Sequence, residues 1–299
     1  MSPIKQPRLL PHDIFFGSFL LITWLRLVHA VGFGASAPLL YLGLILVGLA
    51  AWFRRDADDS PLRWRLSLLF YPLAMMIVFF HMKVAVPLIH PQSLDPTLQH
   101  IDATLFGGTP SLRMQAITHP LATELLSACY MLFYPCLALS IISYLLDDLS
   151  LLKRFMIGMF TIYGIGFFGY SFVPAAGPYA SMAGDFTTPL AGWWTTQLCV
   201  YIVKTGSNRV DVFPSLHCAA TFFMLLLDRQ HHRRRFRVWL VPCVGIWVST
   251  IYLRYHYLID VVVGFTLGVF ALWLANRPRW IRNGTSIAAV ATARPAGSR

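Results

Sequence analysis

The sequence predicts an all-α, polytopic transmembrane helical bundle of about eight spans, built on a six-helix core. Three observations predict it. Hydrophobic residues make up 57% of the chain and charged residues only 12%, where a soluble domain carries roughly 25% charged residues. Apolar stretches of near-span length recur eight times. All but six of the 24 Lys and Arg residues fall on one side when those stretches are counted as alternating crossings.

The stretches lie at about 13–33, 36–53, 66–88, 120–146, 155–173, 213–228, 238–255 and 257–275. In lipid a backbone must satisfy its own hydrogen bonds, so each is read as a helix. About 20 residues are needed to cross the hydrocarbon core. The second and sixth stretches are therefore short, and the sixth is expected to be tilted or partly re-entrant. The first has a basic start, Lys5 and Arg8, and an Ala35-Ser36-Ala37 triplet after it, as a cleavable signal would. Arg26 and His29 interrupt it and it is long for such a signal, so it is read as an uncleaved anchor. The chain divides into a transmembrane hairpin over 1–65, a main transmembrane domain over 66–276 and a cytoplasmic tail over 277–299. The tail is rich in Ala, Arg, Gly and Ser and is read as disordered.

With the amino terminus inside, the basic residues left over are Arg26, Lys83, Arg113, Lys204, Arg209 and Arg254. The densest basic run, Arg229 to Arg237, fixes the cytoplasmic side. His231 and His232 within it could hold a metal, but a solvated positive loop is the stronger reading. The formal net charge of +11 would suggest nucleic acid in a soluble chain. Here the positive-inside bias accounts for it, and no nucleic-acid partner is expected. Cys129, Cys136 and Cys243 read as small core residues. Cys199 and Cys218 both fall toward the outer face, which leaves a bridge between them open. No spacing matches a zinc or redox motif.

Two long connections, about 89–119 and 174–212, face outward. Long loops beside short ones usually carry function. Leu98, Ile101 and Leu105 recur at helical spacing, so a short helix is expected on the membrane surface.

Titratable residues in or beside spans are functional candidates because they are costly there. Arg26, His29, His81, Lys83, His217, Arg254, His256 and Asp260 all fall toward the outer half of the predicted spans. One site near the outer surface explains the clustering. Snorkelling to the interface explains Arg26, His29, His81 and Lys83 equally well. The strongest segment runs from Tyr252 to Asp260. His256 and Asp260 are four apart, which on a helix puts them on one face. A carboxylate on one ring nitrogen fixes the tautomer and makes the other more basic, which suits a nucleophile. Arg254 could hold two phosphate oxygens with its fork; the structural alternative is an ion pair with Asp260. The second segment is Asp211-Val-Phe-Pro214-Ser215-Leu216-His217. Pro214 and Ser215 suit a helix start, whose free N–H groups bind anions, and His217 would face the outer surface. A third segment, Ser171 to Tyr179, reads as a Pro- and Gly-shaped loop entry.

Pro214-Ser215-Leu216-His217 followed by His256-x-x-x-Asp260 resembles the type 2 phosphatidic acid phosphatase superfamily. Leu216, where the phosphatases usually carry Gly, is similar to the inositol phosphorylceramide synthase branch. Pro174-Ala-Ala-Gly177-Pro178 and Leu105-Phe-Gly-Gly108 resemble bacterial members of that branch. The resemblance covers roughly 89–268. The sequence departs from the phosphatases at two places. Lys83-x6-His90-Pro91 only echoes their Lys-x6-Arg-Pro motif, and Ser249-Thr250 stands where they carry Ser-Arg.

The resemblance implies an integral membrane enzyme acting on a phospholipid or lipid phosphate, with an alcohol or water as acceptor, through a phosphohistidine. His256 would be the nucleophile, Asp260 its orienting carboxylate and His217 the proton donor and acceptor. Ser215 and Arg254, with Lys83 and Arg209, would bind the phosphate oxygens. No metal or other cofactor is implied. Head-group transfer from a phospholipid diester is the favoured reaction. Hydrolysis of phosphatidic acid or an isoprenoid phosphate is the alternative within the class. A lipid transporter is the alternative outside it, though transport sites lie near the midplane.

The topology is tested by single cysteines at Arg234 and Ser181, probed in intact cells with an impermeant thiol reagent. Ser181→Cys is expected to label and Arg234→Cys to stay protected until the membrane is opened. The reverse pattern would invert the bundle.

Overall fold

The computed structural model describes residues 9–55 and 60–280. Lys5, Arg8, Arg282, Arg294, Arg299 and nearly all of the predicted tail lie outside the described residues. The helices are α1 (Pro11–Val31), α2 (Ser36–Arg55), α3 (Pro61–Leu68), α4 (Phe70–Ile89), α5 (Asp95–Phe106), α6 (Pro110–Met114), α7 (Pro120–Met131) and α8 (Phe133–Leu146). They continue with α9 (Leu149–Phe172), α10 (Pro178–Ser181), α11 (Trp194–Gly206), α12 (Leu216–His231), α13 (Arg233–Tyr252) and α14 (Leu258–Ala275). The described residues contain no strand.

Each predicted stretch is a helical rod. By length and composition, six rods among the described residues suit a membrane crossing: α1, α2, α3–α4, α7–α8, α9 and α14. The other two are α12, with 16 residues, and α13, whose first turn holds Arg233, Arg234 and Arg235. The short sixth stretch is one continuous helix. α12 runs from the 207–215 loop to the Arg-rich end, where Asp228 meets Arg235 and Tyr144. Two rods break for the same reason. Pro72 and Pro135 lack an N–H and crowd the carbonyl four residues back, and the helices divide at Leu69 and Leu132.

α9 is the centre of the bundle, with α1, α4, α8, α12 and α14 against it. Lipid tails are as apolar as the side chains, so packing rather than water exclusion must hold these helices together. Small residues make that packing close. A Cβ on Gly164 would lie 2.7 Å from the Phe16 backbone nitrogen of α1, so α1 and α9 touch backbone to backbone there.

The Arg-rich end is stitched by ion pairs. Asp13 takes two bonds from Arg55, at 3.0 and 2.7 Å, and one from Tyr71. Arg65 reaches the Leu145 and Asp147 carbonyls. His232 lies 2.8 Å from Asp147, which gives it a carboxylate partner. At the opposite end Arg26 donates to the Ser171 carbonyl at 3.1 Å and lies over the Phe172 ring. It ties α1 to α9 there. His29 and Lys83 are exposed, and His81 packs edge-on to Tyr41.

Two further expectations change. All five cysteines are free, so Cys199 and Cys218 form no bridge; Cys199 sits beside the Tyr255 hydroxyl instead. The helix predicted over 98–105 exists as α5, but Leu98 is buried against Ala175, Met182, Val212 and Tyr257. That part of its apolar face meets protein, while Leu105 stays exposed.

Gly164→Val is expected to push α1 off α9. Overpacking of this kind costs about 1–3 kcal/mol, read as a lower unfolding midpoint of the detergent-solubilised protein. Gly184→Ala, where a Cβ meets nothing within 4 Å, is the control.

Candidate active site

Two segments 39 residues apart meet at the end of the bundle away from the arginine run. In the first, Ser215 is the N-cap of α12; its hydroxyl accepts from the Cys218 N–H at 3.4 Å. In the second, the chain leaves α13 at Tyr252 and turns before α14. Arg254 takes the left-handed region there, with φ of 69°. Its carbonyl accepts the Tyr179 N–H at 2.7 Å. The Ser215 N–H donates to the Asp260 carbonyl at 3.0 Å, which joins the segments directly.

His256 and Asp260 are not on one helix face. His256 lies in the turn before α14, and Asp260 is in the first helical turn, where it caps the helix by accepting the Tyr257 N–H at 2.8 Å. The turn still brings the pair together: His256 Nδ1 is 3.5 Å from Asp260 Oδ2. That exceeds the usual hydrogen-bond range of about 2.7–3.2 Å. Both His256 Nδ1 and Asp260 Oδ1 are buried without a hydrogen-bond partner. Catalytic hydrogen bonds are often long in unliganded sites and tighten when substrate binds. The alternative pairing of Arg254 with Asp260 is absent; Arg254 bonds the Thr188 carbonyl instead.

His217 does not face the outer surface as an exposed group. It is half-buried, with its ring 4.8 Å from Tyr130, 4.3 Å from Phe133 and 5.8 Å from His256 between centroids. Neither of its ring nitrogens has a hydrogen-bond partner. His217 and His256 both line one cavity of about 950 Å³, open solvent at its mouth included.

The cavity wall carries residues that sequence reasoning missed. Six tyrosines line it: Tyr130, Tyr134, Tyr163, Tyr170, Tyr179 and Tyr255. Asp211 and Ser207 line it as well, and among the described residues no Lys or Arg does. The tyrosines come from α7, α8, α9, α10 and the turn before α14, so no spacing in the sequence groups them. Asp211 accepts from the Ser207 hydroxyl at 2.9 Å. Burial raises its pKa, while that hydroxyl and His256 oppose the rise. Burial in turn lowers His256 to about 4, opposed by the Asp211 charge and the Val212 carbonyl. A neutral His256 at ordinary pH is what nucleophilic attack requires.

The remaining predicted residues sit apart from the cavity. Ser215 is fully buried and holds the start of α12. Arg254 lines a neighbouring cleft. Arg209 is exposed on the loop that carries Ser207 and Asp211, with φ of 59°. Lys83 is exposed on α4, one turn beyond Phe79 and Phe80 of the cavity wall.

Two carboxylates of α5 hold the site in place. Asp102 accepts the Leu258 and Ile259 N–H groups, both at 2.9 Å, at the start of α14. A carboxylate there also complements the positive end of the helix dipole. Asp95 accepts the Ala176 and Gly177 N–H groups at 2.8 Å and the Tyr257 hydroxyl at 3.0 Å. Gly177 has φ of 89°, and a Cβ on it would lie 2.4 Å from the Tyr255 carbonyl oxygen. Only glycine lets the 174–178 turn press against the His256 segment. The seven-residue spacing of Asp95 and Asp102, two helical turns, is the sequence signal that would have found this pair.

Asp95→Ala would leave the buried Gly177 N–H without its acceptor, while the Tyr257 hydroxyl would keep Ser181 Oγ at 2.8 Å. An orphaned buried polar group costs about 1–3 kcal/mol. The thermal midpoint of purified protein should fall by the larger part of that effect, and less so for Asp95→Glu. An unchanged midpoint in Asp95→Ala would show that the clamp carries no stability.

No curated protein and no solved structure matches the chain. A family model described as the PAP2 superfamily matches residues 96–274, from the first turn of α5 to the last turn of α14. That span is more than half of the chain, and it contains the His217 and His256 segments and the cavity lining apart from Met75, Met76, Phe79 and Phe80 of α4. The chain belongs to the PAP2 superfamily, whose members are phosphatase- and phosphotransferase-type lipid enzymes.

Proposed function

We propose that the protein transfers a phosphate-bearing head group from a phospholipid diester to an alcohol, through a phosphohistidine on His256. The carrying observation is the charge of the cavity: two imidazoles, six phenols and Asp211 line it, and among the described residues no Lys or Arg does. A phosphomonoester dianion benefits from several charge-assisted contacts in a low-dielectric pocket. A diester carries one charge and is served by neutral donors such as phenols. The Asp211 carboxylate penalises a dianion further. This reading agrees with the departure from the phosphatase pattern at Ser249-Thr250, where the usual arginine is missing.

In the first step the His256 nitrogen attacks phosphorus and the lipid alkoxide leaves, taking a proton from the imidazolium form of His217. Asp260 orients His256 and balances the charge on the phosphorylated ring. In the second step the acceptor hydroxyl gives its proton to His217, its oxygen bonds phosphorus, and the bond to His256 breaks. Phenols of the cavity stabilise the non-bridging oxygens in both steps. Ser215 holds the α12 start that carries His217. Lys83 and Arg209, exposed on segments bordering the cavity, draw the anionic head group toward the mouth. The bundle belongs to the inner or plasma membrane, with both termini cytoplasmic and the cavity at the outer face.

Lipid access fits this reading. Met76 and Phe80 of α4 and Tyr134 of α8 line the cavity and are also exposed on the outside of the bundle. Here α4 packs mainly on α1, α2 and α9, while α8 packs on α7, α9, α12 and α13. The gap between α4 and α8 gives an acyl chain a lateral way in.

The test compares protein in nanodiscs supplied with diester phospholipids and alcohols against phosphatidic acid alone. Acceptor-dependent head-group transfer is expected, with slow phosphate release from phosphatidic acid. His256→Ala should lose about three orders of magnitude or more in turnover, and rapid quench should find phosphate on His256 in the parent. Efficient release from phosphatidic acid without transfer would make the protein a phosphatase, and full activity in His256→Ala would remove the mechanism.

A further inference from the structure

A second cleft of about 830 Å³ lies beside the catalytic cavity. Tyr179, Val203 and Tyr255 line both, so the two share a wall. Their charge differs. Among the described residues, the second cleft contains Arg254 and Lys204 and no acidic side chain.

Arg254 is the unusual group. It is 8% exposed, and among the described residues no carboxylate lies within 4.0 Å of it. Its guanidinium sits 4.0 Å from the centre of the Phe186 ring, and Nη2 donates to the Thr188 carbonyl at 2.5 Å. Burial lowers its pKa from the usual arginine value. A buried charge without a counter-charge is costly, and a left-handed backbone adds to the cost for a non-glycine residue. A guanidinium has five N–H donors in a planar fork. The Thr188 carbonyl engages one nitrogen, which leaves the rest for the two oxygens of an anionic group. Lys204, exposed at the same cleft, supplies a second, hydrated cation.

We propose that this cleft is a second substrate subsite, binding a phosphate group of the co-substrate on Arg254 and Lys204. The proposal rests on the phosphotransfer reading and names the acceptor class: an alcohol that itself bears a phosphate. Arg254 precedes His256 by two residues, and Tyr255 between them separates the clefts. An acceptor anchored by its own phosphate on Arg254 extends its hydroxyl past Tyr255 and Tyr179 toward the phosphorylated His256. The hydroxyl proton passes to His217, the new phosphorus–oxygen bond forms, and the electrons of the broken phosphorus–nitrogen bond return to the imidazole. The division of labour follows from charge. The phenolic cavity takes the donor diester, and the cationic cleft takes the anchoring phosphate.

The phosphate could belong to a soluble metabolite or to a lipid head group, and two probes separate these sources. Glycerol 3-phosphate binding is measured on full-length protein in phosphatidylcholine nanodiscs, with glycerol as control. Retention of phosphatidylglycerol is measured by native mass spectrometry of protein taken from mixed nanodiscs. At least one probe is expected to bind, with Arg254→Gln weakening it about tenfold or more and Arg254→Lys less. Lys204→Gln, a change at an exposed side chain, should weaken it severalfold and guards against misfolding of the Arg254 variants. Binding of the soluble probe points to a metabolite, and selective lipid retention points to a head group. Binding is read without turnover and is repeated in His256→Ala. Binding sensitive to Arg254 but without phosphotransfer would leave the subsite standing and remove the reaction. Phosphotransfer with binding indifferent to Arg254 and Lys204, or with neither probe bound, would overturn the subsite.

Discussion

A single backbone hydrogen bond organises the site: the Ser215 N–H to the Asp260 carbonyl, at 3.0 Å. It fastens the start of α12 to the first turn of α14, and so sets His217 against His256. The bond requires the helices to approach more closely than ordinary side chains permit. Gly264 makes this possible, because a Cβ there would lie 2.6 Å from the Ser215 carbonyl oxygen. Gly268 repeats the device one turn along, facing the Ala219 carbonyl at 3.0 Å. In lipid, where no water competes and packing supplies the attraction, small residues at a crossing are the means of bringing two backbones together.

The other supports act on the ends of these helices. Asp102 completes the exposed N–H groups of α14, and Asp95 holds the 174–178 turn against the same segment. Both come from α5, a helix outside the bundle core. One helix, through two carboxylates, thus fixes the turn after α9 and the start of α14. The family match covers Asp102 and begins one residue after Asp95.

Charge is distributed differently at the two ends. At the arginine-rich end, Asp13 meets Arg55 and Tyr71, and Asp228 meets Arg235 and Tyr144, although both ring nitrogens of His12 beside Asp13 lack a hydrogen-bond partner. Such groups fix helix positions. At the other end His217, His256 and Asp260 present polar atoms that meet nothing, and Arg254 meets only a carbonyl oxygen and a ring. Unsatisfied groups of this kind reduce stability. Their gathering around two adjoining clefts is what a site for an anionic substrate needs and what a purely structural cluster avoids.

Hydropathy and the arginine bias alone determined the helical class and the order of the eight rods. Span length and backbone hydrogen bonding leave a chain in lipid few other choices. The spacing of Pro214-Ser215-Leu216-His217 and of His256 with Asp260 likewise marked the two segments that meet. Tertiary structure decided what local periodicity could not express. It put His256 in a turn and not on the helix with Asp260, since the capping bond of Asp260 to the Tyr257 N–H starts α14 one residue after Tyr257. It turned Arg254 into a separate cleft, because a left-handed residue points its side chain away from the path a regular helix would give it. It also gathered six tyrosines and Asp211 from distant segments into one wall. Such a wall exists only where helices cross, and crossings are set by contacts between residues far apart in the chain.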